Sequence, residues 1–330
     1  MTRLFDAYFA VDWSARSLPG PGTPAHDGLW VGEQLAPEIV DTPVPGETYW
    51  RTRQACFAHI QTRLLHHMEA GRRVLIGFDF PYGYPAGYAA ALGLDDESMP
   101  PWRRIWNELQ GLIVDEATNR NNRFAVAAVL NARCSGPIPG PLWGCPAGRS
   151  LPTLAPTSPP YPYPVRPGLA LERLRWTERN LPGIQPAWKL FGHGSAGGQA
   201  LVGIPVLCRL RADPQLAAFS RIWPFETGFT PPPPEQRPSI IHAEIWPGMV
   251  PDPLDPASAI RDQAQVRAVV RWLARLDSAG QLSSLFALPP ALSPEARAIC
   301  VAEEGWILGA TGLRPVQAMA HRQVPCRSIS

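Results

Sequence analysis

Lysine is nearly missing from this chain. Lys189 stands alone among 30 basic residues, so arginine carries the positive charge. Its planar guanidinium suits bidentate contacts with phosphate and carboxylate, but a genome rich in G and C gives the same bias, and that is the favoured explanation. Excess charge is missing too: the 28 acidic residues leave a formal net charge of +2, which announces no broad footprint for nucleic acid. No two cysteines are spaced C-x-x-C; Cys56, Cys134, Cys145, Cys208, Cys300 and Cys326 are dispersed. That spacing excludes a zinc knuckle or a thioredoxin-type motif. With 45% hydrophobic residues, the chain has core enough to fold without disulfide staples. No run is long and uncharged enough to span a bilayer. The segment Met1-Thr2-Arg3-Leu4-Phe5-Asp6 lacks the apolar stretch of a secretory signal. These absences predict a cytoplasmic protein with reduced thiols and no membrane partner. G-x-S-x-G, H-E-x-x-H and a P-loop are absent as well, and no internal repeat is found.

What is abundant is proline, 40 of 330 residues, more than twice the usual share of about 5%. It divides the chain. Residues 4–13 and 28–33 read as strands around a Pro/Gly turn, and residues 38–42 read as a short third strand, the pattern of a meander. Residues 48–70 have helical spacing, and residues 73–79 form a fourth strand. From residue 82 to 238 the character changes: helical over 100–132, then dominated by Pro and Gly. Residues 239–246 read as a strand, 257–280 as an amphipathic helix and 293–310 as a last helix. The expected organisation is a core over 1–81 and 239–330, interrupted by an insertion over 82–238.

Three apolar stretches each close on one carboxylate. Tyr8-Phe9-Ala10-Val11 leads to Asp12, Val74-Leu75-Ile76-Gly77-Phe78 to Asp79, and Ile240-Ile241-His242-Ala243 to Glu244. A lone strand-end aspartate is usually a turn former. Recurrence at three strand ends favours convergence on one sheet edge, where a divalent cation would make the crowding tolerable. Glu303 and Glu304 lie in a nearly all-apolar helix, where a carboxylate is costly unless paired or metal-bound; Glu303 is the favoured member of that pair. Ser14 follows Asp12 closely enough to reach a metal-bound water or a phosphate. The loop Phe191-Gly192-His193-Gly194-Ser195-Ala196-Gly197-Gly198-Gln199 suggests an anion cradle, with a helix beginning near Gln199. His193, Gly194, Ser195 and Gly197 would serve it, with Lys189 beside them. Arg175-Trp176-Thr177-Glu178 is either an exposed helix start or an Arg–Glu pair near the site. His66-His67 reads as a surface pair.

The order of meander, helix, strand, insertion, strand and C-terminal helices resembles the ribonuclease H-like fold. More narrowly, the chain is similar to a bacterial family of predicted nucleases of that fold. Asp12, Ile76-Gly77-Phe78-Asp79-Phe80-Pro81, Arg175-Trp176-Thr177-Glu178 and Glu244-Ile245-Trp246-Pro247 carry the likeness. At the late helix, Glu303-Glu304 stand where that family has an Asp-x-x-Asp-Ala pattern. The resemblance implies an α/β fold: a mixed five-stranded sheet with helices on both faces and a large Pro-rich insertion. It implies Asp12, Asp79, Glu244 and Glu303 as catalytic and metal-holding residues, Mg²⁺ or Mn²⁺ as cofactor, and phosphodiester hydrolysis. Ser14, Arg175, Lys189 and the glycine-rich loop would bind the substrate, a nucleic acid or a small phosphorylated molecule. Two other readings remain open here: a nucleotide-dependent phosphotransferase of the related ATP-binding fold, and a non-catalytic scaffold of the same fold.

Overall fold

The computed structural model describes residues 3–41, 46–166, 168–179, 181–233, 235–290 and 292–310. The first apolar run becomes strand β1 (Ala7–Asp12), followed by β2 (Leu29–Leu35) and β3 (Glu47–Trp50). Helix α1 (Arg53–Glu69) starts where the Thr52 hydroxyl accepts a hydrogen bond from the Ala55 N–H, an ordinary N-cap. Strand β4 (Arg73–Phe78) returns through the core. The long middle segment holds α2 (Tyr88–Ala91), α3 (Pro101–Leu112) and α4 (Arg123–Ser135), then the small hairpin β5 (Tyr163–Arg166) and β6 (Leu169–Leu171). It continues with α5 (Trp176–Arg179), α6 (Ala196–Ala212) and β7 (Ser220–Ile222). Strand β8 (Ser239–Glu244), helix α7 (Arg261–Ser278) and helix α8 (Pro294–Ile299) follow.

The main sheet has the order β3-β2-β1-β4-β8-β7. Strands β1, β2 and β3 form an antiparallel meander, while β1, β4, β8 and β7 run parallel. Alternation along the strands divides the core into two layers. Phe9, Val11, Val74, Ile76 and Phe78 face one side, with Ile60 and Leu64 of α1 and the apolar length of α6. Tyr8, Ala10, Leu75, Ile241 and Ala243 face the other, against Val266, Val269, Val270 and Leu273 of α7. Helices therefore cover both faces of an α/β sheet.

Several boundaries differ from those the sequence suggests. The sheet has six strands, not five. The sixth is β7, three residues drawn from the Pro-rich segment and too short to show a period. The third strand is not at 38–42. Residues 38–41 form no strand there, and Val40 is 90% exposed; Thr42 lies outside the described residues. The carboxylate of Asp41 takes Arg63, His66 and Arg72. The helical stretch at 100–132 breaks into α3 and α4, because the Asn122 side chain bonds the Leu112 carbonyl and the Val114 N–H. The last helix does not reach 310: after α8 comes one π turn, Cys300–Glu304, which Gly305 ends at φ 71°. His67 is buried, its Nε2 at 3.0 Å from Glu33, so this histidine belongs to the interior and not to the surface. No described helix is long and apolar enough to cross a membrane.

The two glycines that open α6 are packing residues. A Cβ on Gly197 would lie 2.1 Å from the Ala187 carbonyl oxygen, a backbone atom that cannot swing away. Gly197→Ala is therefore expected to destabilise the fold by about 2 kcal/mol, the usual cost of forcing an extra methyl into a packed site. A lowered urea midpoint at unchanged m-value would show it.

Candidate active site

The register between β1 and β4 builds the site. Ala7 pairs with Val74, Phe9 with Ile76 and Val11 with Phe78. One residue further on, Asp12 comes opposite Asp79, on strands separated by about 4.8 Å. Both carboxylates fall on the face that α7 covers. The Asp79 Oδ1 accepts the Trp13 N–H at 2.8 Å, and the Asp79 N–H donates to the Val11 carbonyl at 3.2 Å. A third aspartate, Asp262, arrives from the first turn of α7 and accepts the Asp27 N–H at 2.7 Å.

The charges around this group are one-sided. Burial pushes the Asp12 carboxyl well above its ordinary range, and Asp79, Asp262 and Asp27 push it further. The Asp79 carboxyl is pushed up to about 7 by burial, against the lowering effect of the Trp13 N–H, with Asp262 adding to the rise. Burial also raises Asp262. No arginine or lysine pairs with Asp12 or Asp79 among the described residues. The donors are hard oxygens, the kind that suit Mg²⁺ or Mn²⁺. Among the described residues, no group of three or more His, Cys, Asp or Glu side chains is close enough to hold a metal ion. Mg²⁺ does not require such a cage: it takes one or two carboxylates, water and substrate phosphate. The Asp12–Asp79 pair fits that pattern.

Two clefts open at this end of the sheet, of about 520 Å³ and about 800 Å³. Asp79 lines the first and Asp12 the second, while Asp27, Asp262, His193, Gly194 and Gln199 line both. The glycine-rich loop thus does reach the acids. The Gln199 side chain ties α6 to the Trp13 carbonyl. Ser14 and Ser195 line the larger cleft, and the Ser14 hydroxyl donates to the Asp27 carbonyl at 3.0 Å.

Other expected site residues serve elsewhere. Glu244 ends β8 at the same sheet edge, but its register partner is Phe78, not Asp79. Its alternation therefore sets it toward the opposite face from the aspartates, although it still lines the cleft that Asp79 and Asp262 share. There the Arg175 guanidinium clasps it at 2.6 and 2.7 Å, and the Tyr82 N–H donates to it at 3.0 Å. Arg175 is fully buried and also bonds Glu178 at 2.8 Å and the Glu304 carbonyl, so it is an internal brace, set in the wall of the cleft that Asp79 also lines. Glu303 accepts the Gly87 N–H, while Glu304 accepts the N–H groups of Ala86 and Trp176. Both anchor the loop after β4 and neither joins the aspartates. Lys189 lines neither cleft. Its ammonium braces the loop through Gln185 at 3.0 Å and the His193 carbonyl at 2.6 Å. Gly197 packs against the chain at Ala187, as described above, and lines neither cleft.

Asp262 and Asp27 are the acids that the sequence pattern did not pick out. An aspartate in a first helical turn is what the helix dipole favours anyway, so Asp262 carries no local sign of a second role.

The raised carboxyls make stability depend on pH. Asp79 in the folded state keeps a proton that the unfolded chain releases near pH 4. Its contribution is full below about pH 4 and is lost as pH rises through about 7. Asp79→Asn is expected to raise the melting temperature at pH 8 by a few degrees and to leave it little changed at pH 4. Calorimetric scans of both proteins across that range check the sign.

Comparison of the chain with protein-family models, curated proteins and solved structures returned no match.

Proposed function

We propose that the protein is a divalent-metal-dependent phosphodiester hydrolase, a nuclease, built on a ribonuclease H-like core. The observation that carries this reading is the Asp12–Asp79 pair. These are two half-buried carboxylates on adjacent parallel strands, on one face, with no arginine or lysine paired to them among the described residues. The sheet supports the fold assignment. An antiparallel meander continued by two parallel strands, with acids ending the first and the fourth, is what the resemblance implies. The sixth strand is an edge addition from the insertion.

In this reading Asp12 and Asp79 hold Mg²⁺ or Mn²⁺, with Asp262 as the third carboxylate of the cleft. Bound metal supplies Lewis acidity toward a phosphoryl oxygen and lowers the pKa of a water. The Trp13 N–H fixes the Asp79 carboxylate, and the Asp27 N–H fixes Asp262. The loop 193–195 and the start of α6 line the clefts beside the aspartates, where the helix dipole favours a phosphate.

Titration calorimetry with Mn²⁺ at pH 8 tests the reading. The wild-type protein is expected to bind Mn²⁺, and Asp12→Asn to weaken binding at least tenfold. Equal affinity in the two proteins refutes the assignment of Asp12. No divalent binding at all favours the non-catalytic scaffold.

A further inference from the structure

The larger cleft has a second end with the opposite charge. Arg16, Arg123 and Arg149 line it together with Phe191, in the same cavity as Asp12 and Asp262. Arg53, close behind, is neutralised by Asp115 at 2.6 Å, whereas these three form no ion pair among the described residues. Arg123 is the informative one, because it is only 7% exposed. Its Nη1 donates to the Ser17 hydroxyl and to Asn121 Oδ1, each at 2.9 Å. Its Nε is buried with no partner, and its Nη2 donates to none of the described residues. Nε is closed off from solvent, so the group left to meet a phosphate oxygen from the cleft is Nη2. Phe124 stacks beneath the guanidinium, 4.2 Å from ring centroid to carbon, and holds it in place. Burial and the neighbouring charges of Arg53 and Arg149 push this guanidinium down to about 10. The Asp115 charge offsets this only in part, and a buried cation short of counter-charge is costly unless a ligand supplies more.

Beside the arginines lies Phe191, 45% exposed and edge-on to Phe124, with ring centroids 6.4 Å apart. An exposed aromatic face next to phosphate-binding arginines is the pairing that holds unstacked bases. We propose that this end of the cleft is a phosphate subsite for a single-stranded oligonucleotide, with Phe191 as the stacking surface for a neighbouring base. The inference rests on the phosphodiester reading and narrows it. One phosphate goes to the aspartate end and another to the arginine end, so the substrate is a chain and not a phosphorylated metabolite. A duplex, its bases already stacked, does not offer Phe191 a face.

Fluorescence anisotropy with a labelled ten-nucleotide oligothymidylate, in EDTA, tests the subsite apart from catalysis. The wild-type protein is expected to bind it, and Asp12→Asn to bind at least as tightly. Arg16→Gln with Arg149→Gln, both exposed and outside the core, is expected to weaken binding about tenfold. The slope of log affinity against log salt should fall by about 1.4, as for two lost single-strand phosphate contacts. Phe191→Ala is expected to cost about tenfold with the slope unchanged. Arg123→Gln should weaken binding further still. Wild-type protein that ignores the oligonucleotide, arginine variants that bind as the wild type does, or a duplex bound equally well would each overturn the proposal. Binding as described, without any metal-dependent cleavage, leaves the subsite standing and removes the hydrolase reading. Mn²⁺ binding at Asp12 without oligonucleotide binding does the reverse.

Discussion

Asp12→Asn should reduce metal-dependent phosphodiester cleavage by about 10³-fold while making the protein more stable. The loss follows from removing a carboxylate that holds a metal worth several kcal/mol of charge stabilisation. The gain follows from the surroundings of Asp12, where burial and three other aspartates all oppose its charge. An aspartate kept for structure behaves in the other direction, since its removal breaks a cap or an ion pair and lowers stability. Loss of activity with a raised melting temperature is therefore the signature of a site held under electrostatic strain for function. Mg²⁺ should raise the melting temperature of the wild-type protein at pH 8 and leave that of Asp12→Asn unchanged. Glu303→Gln is the matched control: its carboxylate accepts the Gly87 N–H, away from the aspartates, and cleavage should persist. Retained activity in Asp12→Asn, or a melting temperature that falls, ends the assignment.

The parts of this arrangement that are legible in the sequence are those set by local pattern. Continuous apolar runs mark β1, β4 and β8, since strands buried on both faces read that way. Each run ends on its acid at the sheet edge, as the alternation of β1 and β4 requires for Asp12 and Asp79. Glu244 shows where the reading stops. Whether a strand-end acid joins its neighbours depends on register, and one residue of shift moves a side chain to the other face. Nothing in Ile240-Ile241-His242-Ala243-Glu244 states that Glu244 pairs with Phe78. The third strand is misplaced by pattern for a related reason. Ile39-Val40 looks more strand-like than Glu47-Thr48-Tyr49-Trp50, yet the edge of a sheet tolerates a half-buried polar strand, and β3 is one. Asp262 gives no signal because it looks like an ordinary helix-start residue, and Arg123 gives none because an arginine next to a polar loop usually reads as solvent-exposed. Only the fold brings α7 to β1 and α4 to the loop after β1.

Arg175→Met is expected to destabilise the protein by about 4 kcal/mol, the usual consequence of stranding buried charge. The guanidinium is the only cation bonded to Glu244 and Glu178 among the described residues, and all three side chains are buried. Without Arg175, two carboxylates would remain in the interior with only backbone donors. Burial already raises Glu178 despite Arg175. With its cation gone, Glu178 would sit still further above its unfolded value, so the variant's stability would be lost as pH rises. The deficit relative to wild type should therefore be small near pH 4 and largest at pH 8. Urea unfolding at the two pH values reads this directly. Glu244→Gln is expected to be milder, because the amide oxygen it introduces can still accept the Tyr82 N–H and Arg175 keeps Glu178. The same variant should leave Mn²⁺ affinity at Asp12 unchanged. If Glu244→Gln instead removed Mn²⁺ binding while Arg175→Met left stability intact, the Arg175 clasp would be dispensable. Glu244 would then be a carboxylate that turns toward the aspartates when metal enters.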